Sequence, residues 1–96
     1  MFYRIGKIKC KPGNSDDVIS YFKSKEDFFA DTKGIISLSY FKSGQDEVSG
    51  IAVWESKEIL EKNAERIQSV MGGLMEFVSA PPDIVGGDLE YQFKGI

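Results

Sequence analysis

The chain is predicted to be an α+β protein with its elements in the order strand, helix, strand, strand, helix, strand. Three observations carry that expectation. Four short segments alternate apolar and polar residues with the period of two of a half-buried strand. Two longer segments repeat apolar residues every third or fourth position, as one face of a helix requires. Proline, glycine and short polar residues stand at the boundaries between them.

Phe2 to Lys11 is the first strand, with Phe2, Ile8 and Cys10 on one parity and Tyr3, Ile5, Lys7 and Lys9 on the other. Pro12-Gly13 ends it, and Asn14 or Ser15 offers a side-chain oxygen to the free amides of a first helical turn. Asp16 and Asp17 then complement the positive end of the helix dipole. Val18, Phe22, Lys25 and Phe29 follow a helical spacing with Ile19, Tyr21 and Phe28 alongside, which gives an aromatic stripe facing the core. Gly34 is the expected stop, since glycine takes a left-handed cap without strain.

Ile35 to Lys42 is the second strand, Ser43-Gly44-Gln45-Asp46 a turn, and Glu47 to Glu55 the third strand, so the pair forms a hairpin. Ser56 caps a second helix whose apolar seam runs through Leu60, Ala64, Ile67, Met71, Leu74 and Val78. Gly72-Gly73 interrupts that seam and predicts a kink, a break or a close backbone approach. Pro81-Pro82 ends helical structure, and the alternation of Leu89, Tyr91 and Phe93 after Gly86-Gly87 predicts the last strand.

Two right-handed strand–helix–strand halves give a ferredoxin-like βαββαβ arrangement, a four-stranded antiparallel sheet with two helices on one face. Strand two nevertheless carries Ile35 and Phe41 on one parity and Ile36, Leu38 and Tyr40 on the other. Strand three sets Ile51 and Val53 against Val48, Ala52 and Trp54. Apolar residues on both faces predict that the second face is covered too, by a second copy of the chain in a homodimer.

The 96 residues suit one domain spanning 1–96. At 42% hydrophobic and 28% charged residues the chain has the composition of a folded globule, not of a disordered segment. A net charge of -3 without a basic stripe argues against nucleic acid. With no apolar run of membrane length and no signal-peptide core after Met1, neither a membrane nor secretion is expected, and the location is read as cytoplasmic. The lone Cys10 cannot pair within the chain and is read as a packed strand residue.

The segment Ala52-Val53-Trp54-Glu55-Ser56-Lys57-Glu58, a strand ending in tryptophan that passes through Glu-Ser into an amphipathic helix, is followed late by Ala80-Pro81-Pro82 before the final strand. In this organisation nearly the whole chain resembles the antibiotic biosynthesis monooxygenase (ABM) family of the dimeric α/β-barrel superfamily. The resemblance implies a dimeric barrel with a pocket between sheet and helices in each subunit. It also implies a function within a group that includes cofactor-independent oxygenases of aromatic or polyketide-like compounds, haem-degrading enzymes and proteins without an assigned reaction. Many relatives carry a histidine nine residues after the strand-ending aromatic. That position is Asn63 here, and the chain has no histidine at all. Haem ligation, ordinary metal sites and Ser-His-Asp or Cys-His nucleophiles therefore lack their parts, and no cofactor or metal is expected.

For a cofactor-free oxygenase, the candidate catalytic residues are Trp54 to orient a ring, Asn63 to donate to an enolate oxygen and Arg66 to stabilise the anion. Tyr3, Tyr40, Tyr91 and Met71 are the candidate substrate-binding residues, for a small aromatic ligand. Each has a structural reading beside the functional one. Trp54 suits a core or interface anchor, Asn63 a helix boundary, Arg66 an exposed charged face beside Lys62 and Glu65, and Met71 helix packing. The alternative function is a non-catalytic dimeric ligand-binding or accessory protein of the same fold.

Overall fold

The computed structural model describes residues 1–95. Its elements are β1 (Phe2–Lys9), α1 (Ser15–Ser24), α2 (Glu26–Ala30), β2 (Ile35–Gly44), β3 (Glu47–Trp54), α3 (Lys57–Lys62), α4 (Ala64–Gly72) and β4 (Asp83–Asp88). The four strands form one sheet in the order β2-β3-β1-β4, antiparallel throughout. This is the expected ferredoxin-like α+β fold.

Register decides which side chains meet the helices. Phe2 pairs with Trp54, Arg4 with Ala52, Gly6 with Gly50 and Ile8 with Val48 across β1 and β3. These residues share one face, where Ile8, Cys10 and Val48 join Val18 and Phe22 of α1, Val70 of α4, and Leu74 and Val78 in the hydrophobic core. At the end of β1 the expected strand loosens. Cys10 keeps an isolated bridge to Val78, which fastens the segment after α4 to the sheet, and its amide donates to Asp46 O at 2.8 Å.

Both predicted helices are divided in two. The first breaks at Lys25, whose amide bonds to the Phe22 carbonyl three residues back. The second breaks at Asn63, and the cause is local. The Asn63 side-chain amide donates to the Ile59 carbonyl at 2.8 Å, taking the acceptor a continuing helix would use. The Asn63 backbone N–H turns instead to Leu60 O at 3.1 Å. An asparagine that competes for backbone acceptors is a helix breaker from within. With the phase reset there, Ala64 is exposed, not part of the seam, and Val70 takes the buried position.

Other boundaries hold or shift by small amounts. Ser56 caps α3, its hydroxyl accepting from Ile59 N at 3.2 Å. Asn14 occupies the N-cap of α1 but its side chain makes no cap bond, its amide donating instead to Asp17 Oδ2 at 2.7 Å. Helix α4 ends at Gly72, and a Cβ on Gly73 would collide with the Tyr21 hydroxyl, so the glycine pair marks both a break and a close approach. Between Ile35 and Ser37 the β2 register slips by one residue. This bulge turns Ile35 to the Leu38 and Tyr40 side of the strand and leaves Ile36 47% exposed, reversing the parity the alternation predicted for those two residues.

The last strand is the main correction. It is Asp83–Asp88 and contains Gly86-Gly87, where the sequence pattern placed it after them at Leu89, Tyr91 and Phe93. β4 can pair only as far as β1 extends, and Phe2 opposite Asp88 is the final rung. Beyond one further bond from Leu89 N to Met1 O, the alternating residues run off the sheet, leaving Tyr91 81% and Phe93 72% exposed. Glycine suits Gly86 because a Cβ there would lie 2.8 Å from the Phe2 ring and 3.1 Å from the Tyr3 carbonyl oxygen.

Among the described residues no helix covers the far face of the sheet. Ile5, Phe41 and Val85 lie exposed on it beside the better-covered Ile51 and Val53. No helix of the described residues is long and apolar enough to cross a membrane.

Candidate functional site

The helix-facing side of the sheet is deficient in side-chain volume at its centre. Gly6 from β1 and Gly50 and Ala52 from β3 form a floor of small residues. Phe22 and Met71 close it from the helices, Tyr40 from β2, and Arg4 stands at its edge. Two adjoining pockets result, each of about 70 Å³. One reaches toward Ile8, Pro82 and Ile84, and the other runs under α2 and α4 to Trp54. They share Arg4, Phe22, Tyr40, Ala52 and Met71.

Tyr40 is the partition. Its ring stacks on Phe22 with centroids 3.8 Å apart and planes 8° from parallel. From below it rests on Gly50, where a Cβ would come within 2.5 Å of the ring. Burial pushes the Tyr40 phenol up to about 12, with the Arg4 charge pulling the other way, so this hydroxyl stays protonated and is no base at neutral pH.

Trp54 forms the inner end of the second pocket. It is 3% exposed, and its Nε1–H is buried without a hydrogen-bond partner among the described residues. Buried donors are normally paired, and an orphan costs about 1–3 kcal/mol. Arg4 is half-buried on the same face and enters no ion pair among the described residues. Burial pulls the Arg4 guanidinium below the ordinary arginine value, although an arginine keeps its proton in proteins.

Arg66 also lines the Trp54 pocket but is already occupied. Its Nε donates to Thr32 Oγ1 at 3.1 Å and its Nη2 to the Phe28 carbonyl at 3.2 Å. The guanidinium sits 4.1 Å from the Phe28 ring centre, and Asp31 lies 3.8 Å from it. Arg66 thus braces α4 against the end of α2, with Thr32, itself buried, as the relay to Phe28 O.

Of the seven candidates, Trp54, Arg66, Tyr40 and Met71 are brought together. Asn63 stands outside the lining of both pockets, its amide committed to Ile59 O and, at 3.4 Å, to Lys33 O. Tyr3 belongs to the opposite parity of β1, and its hydroxyl accepts from Gln92 Nε2 at 3.3 Å. Tyr91 is solvent-exposed beyond β4. Sequence reasoning missed Arg4 although a signal was present, since a charged residue stands on the parity of Phe2, Ile8 and Cys10. Among the lining residues of the two pockets there is no aspartate, glutamate or histidine.

No protein-family model matches the chain, and no curated protein matches it. Solved structures do. A monooxygenase of Streptomyces coelicolor, determined in complex with nanaomycin D, superposes with a TM-score of 0.83 at 17% identity over 98% of this chain and 91% of that one. SnoaB, a cofactor-independent oxygenase from Streptomyces nogalater solved as an asparagine-to-alanine mutant, gives 0.80 at 12% identity over 98% and 97%. A protein of unknown function from Nitrosomonas europaea gives 0.81 at 13% over 99% and 94%. The fold is that of the antibiotic biosynthesis monooxygenases, as the sequence resemblance implied.

Proposed function

We propose that the chain is an ABM-family protein that binds a small aromatic compound between sheet and helices, and that it acts as a cofactor-independent monooxygenase. The observation that carries this reading is Trp54 Nε1, a buried donor without an acceptor at the end of an aromatic-lined cavity. The reaction needs little from the protein. A substrate methylene beside a carbonyl loses a proton, and its carbanion adds dioxygen to form a carbon–oxygen bond and a peroxide. Loss of the second hydrogen then breaks the O–O bond and leaves a ketone and water. In this reading Trp54 Nε1 and Arg4 stabilise the enolate oxygen of the carbanion, and the apolar walls limit the access of water to the peroxide. Arg66 holds the helical wall, and Asn63 is assigned to the α3–α4 junction.

Neither of these two pockets is lined by a carboxylate or imidazole, Glu26 belonging to the neighbouring space beside Phe22 and Tyr40, so their own walls supply no base. A suitable substrate ionises in water before it enters. The same absence favours the second reading, a dimeric binding protein that uses the pocket without chemistry. Oxygen uptake with indandione, whose methylene ionises readily, separates the two. The oxygenase reading expects one dioxygen consumed per triketone formed and a loss of about a hundredfold in Trp54→Phe, which removes only the indole donor. Saturable binding with no acceleration of uptake would leave the binding protein.

We also propose that the far face, with Ile5, Phe41 and Val85, is the homodimer interface, since apolar residues of this size on one sheet face seek cover.

A further inference from the structure

We propose that the ligand of this cavity is a single-ring aromatic compound carrying an anionic oxygen group held by Arg4 and Trp54. The inference rests on the reading of the cavity as a small-molecule site and goes on to name the chemistry the site selects.

Charge points to an anion. The walls contribute two guanidinium groups and no carboxylate. Arg66 is neutralised in part by Asp31 and committed to Thr32 and Phe28, whereas Arg4 has no ion-pair partner among the described residues. A half-buried cation without a counter-ion is a cost that an anionic ligand removes.

Register brings the second donor to the same place. Arg4 lies opposite Ala52 and Trp54 opposite Phe2, so the two are diagonal neighbours on one face of an antiparallel pair, with Cβ atoms about 7–8 Å apart. Both side chains line the second pocket, and an arginine is long enough to cross that gap, so one carboxylate or enolate can accept from both the guanidinium and the orphaned indole N–H.

Volume limits the ring. The two pockets that Arg4 lines, about 70 Å³ each, together approach the ~150 Å³ of an engineered cavity that admits benzene. The larger space of about 300 Å³ beside the same Phe22 and Tyr40, lined by Ile19, Lys23, Glu26, Phe29 and Leu38, contains neither Arg4 nor Trp54. A fused three-ring system held at Arg4 and Trp54 would overfill these two pockets unless the Tyr40–Phe22 stack opened, and Gly50 beneath Tyr40 leaves that ring no lower position.

The chain has one tryptophan, so the protein labelled with nitrogen-15 shows one indole N–H resonance, and it belongs to Trp54. Titration with benzoate, benzyl alcohol and anthracene-2-carboxylate reads the site directly. Benzoate is expected to move the resonance saturably, benzyl alcohol to bind about tenfold more weakly, and anthracene-2-carboxylate to fall at least as far behind. Arg4→Met should reduce benzoate to the level of benzyl alcohol, and Arg4→Lys should keep part of the preference. Equal affinity for benzoate and benzyl alcohol, or unchanged benzoate binding in Arg4→Met, overturns the anionic assignment and leaves the cavity standing as a site. Anthracene-2-carboxylate matching benzoate overturns the single-ring limit. No response to any of the three overturns the cavity reading itself.

Discussion

The rings of Tyr40 and Phe22 lie parallel, 3.8 Å between centroids, and join the edge of the sheet to α1 across the middle of the cavity. The contact exists because position 50 has no side chain. A Cβ there would lie 2.5 Å from Tyr40 Cε1 and 2.7 Å from Cδ1. Gly50→Val is therefore expected to expel the Tyr40 ring and destabilise the protein by about 1–3 kcal/mol, the usual cost of overpacking. Urea denaturation measures this, and an unchanged midpoint would contradict the packing described.

The same ring predicts an alkaline limb. Burial holds the folded Tyr40 phenol at about 12, against an unfolded tyrosine near ~10. The neutral phenol is favoured by the fold, so its contribution is complete below the unfolded value and is lost as pH rises toward the folded one. Stability should fall by on the order of 2 kcal/mol across that window through this group. In Tyr40→Phe that part of the decline should vanish, as chemical denaturation at successive pH values would show.

Asn63→Ala separates structure from chemistry. Losing the side-chain bond to Ile59 O frees that carbonyl for the backbone of a continuous helix, so helicity by circular dichroism should hold or rise slightly. Benzoate affinity should change by less than about twofold, the residue standing outside the pocket lining. A large loss of affinity or turnover with the fold intact would return Asn63 to the machinery.

Phe41→Glu tests the far face. Phe41 is 48% exposed there, beside Ile5 at 43% and Val85 at 68%, and a charge in the centre of an apolar interface is costly to bury. Sedimentation is expected to give a dimer for the native chain and a monomer for the variant. A native monomer would remove the interface proposal.

The fold was legible because period and punctuation agree along most of the chain. Alternation located three strands, and Gly72-Gly73 marked the end of α4. What stayed hidden depends on partners distant in sequence. Leu89, Tyr91 and Phe93 alternate as a strand does, but pairing stops where β1 stops, at Phe2. Asn63 entered as a candidate through the family resemblance, and only the competition for Ile59 O reveals it as a breaker. Of the site, the aromatic parts could be named in advance, whereas Tyr3 and Tyr91 were drawn in by residue type alone. Arg4 was the converse case, a polar residue whose parity placed it inside while its type suggested the surface.

All of the proposed chemistry requires that the cavity ending at Trp54 receive a small molecule. A crystal structure grown with a saturating concentration of indandione tests it most directly. The enolate is expected within the cavity, one oxygen about 3 Å from Trp54 Nε1 and within reach of Arg4. Density for the compound on the far face beside Ile5 and Phe41, with the cavity beside Trp54 unfilled, would contradict it.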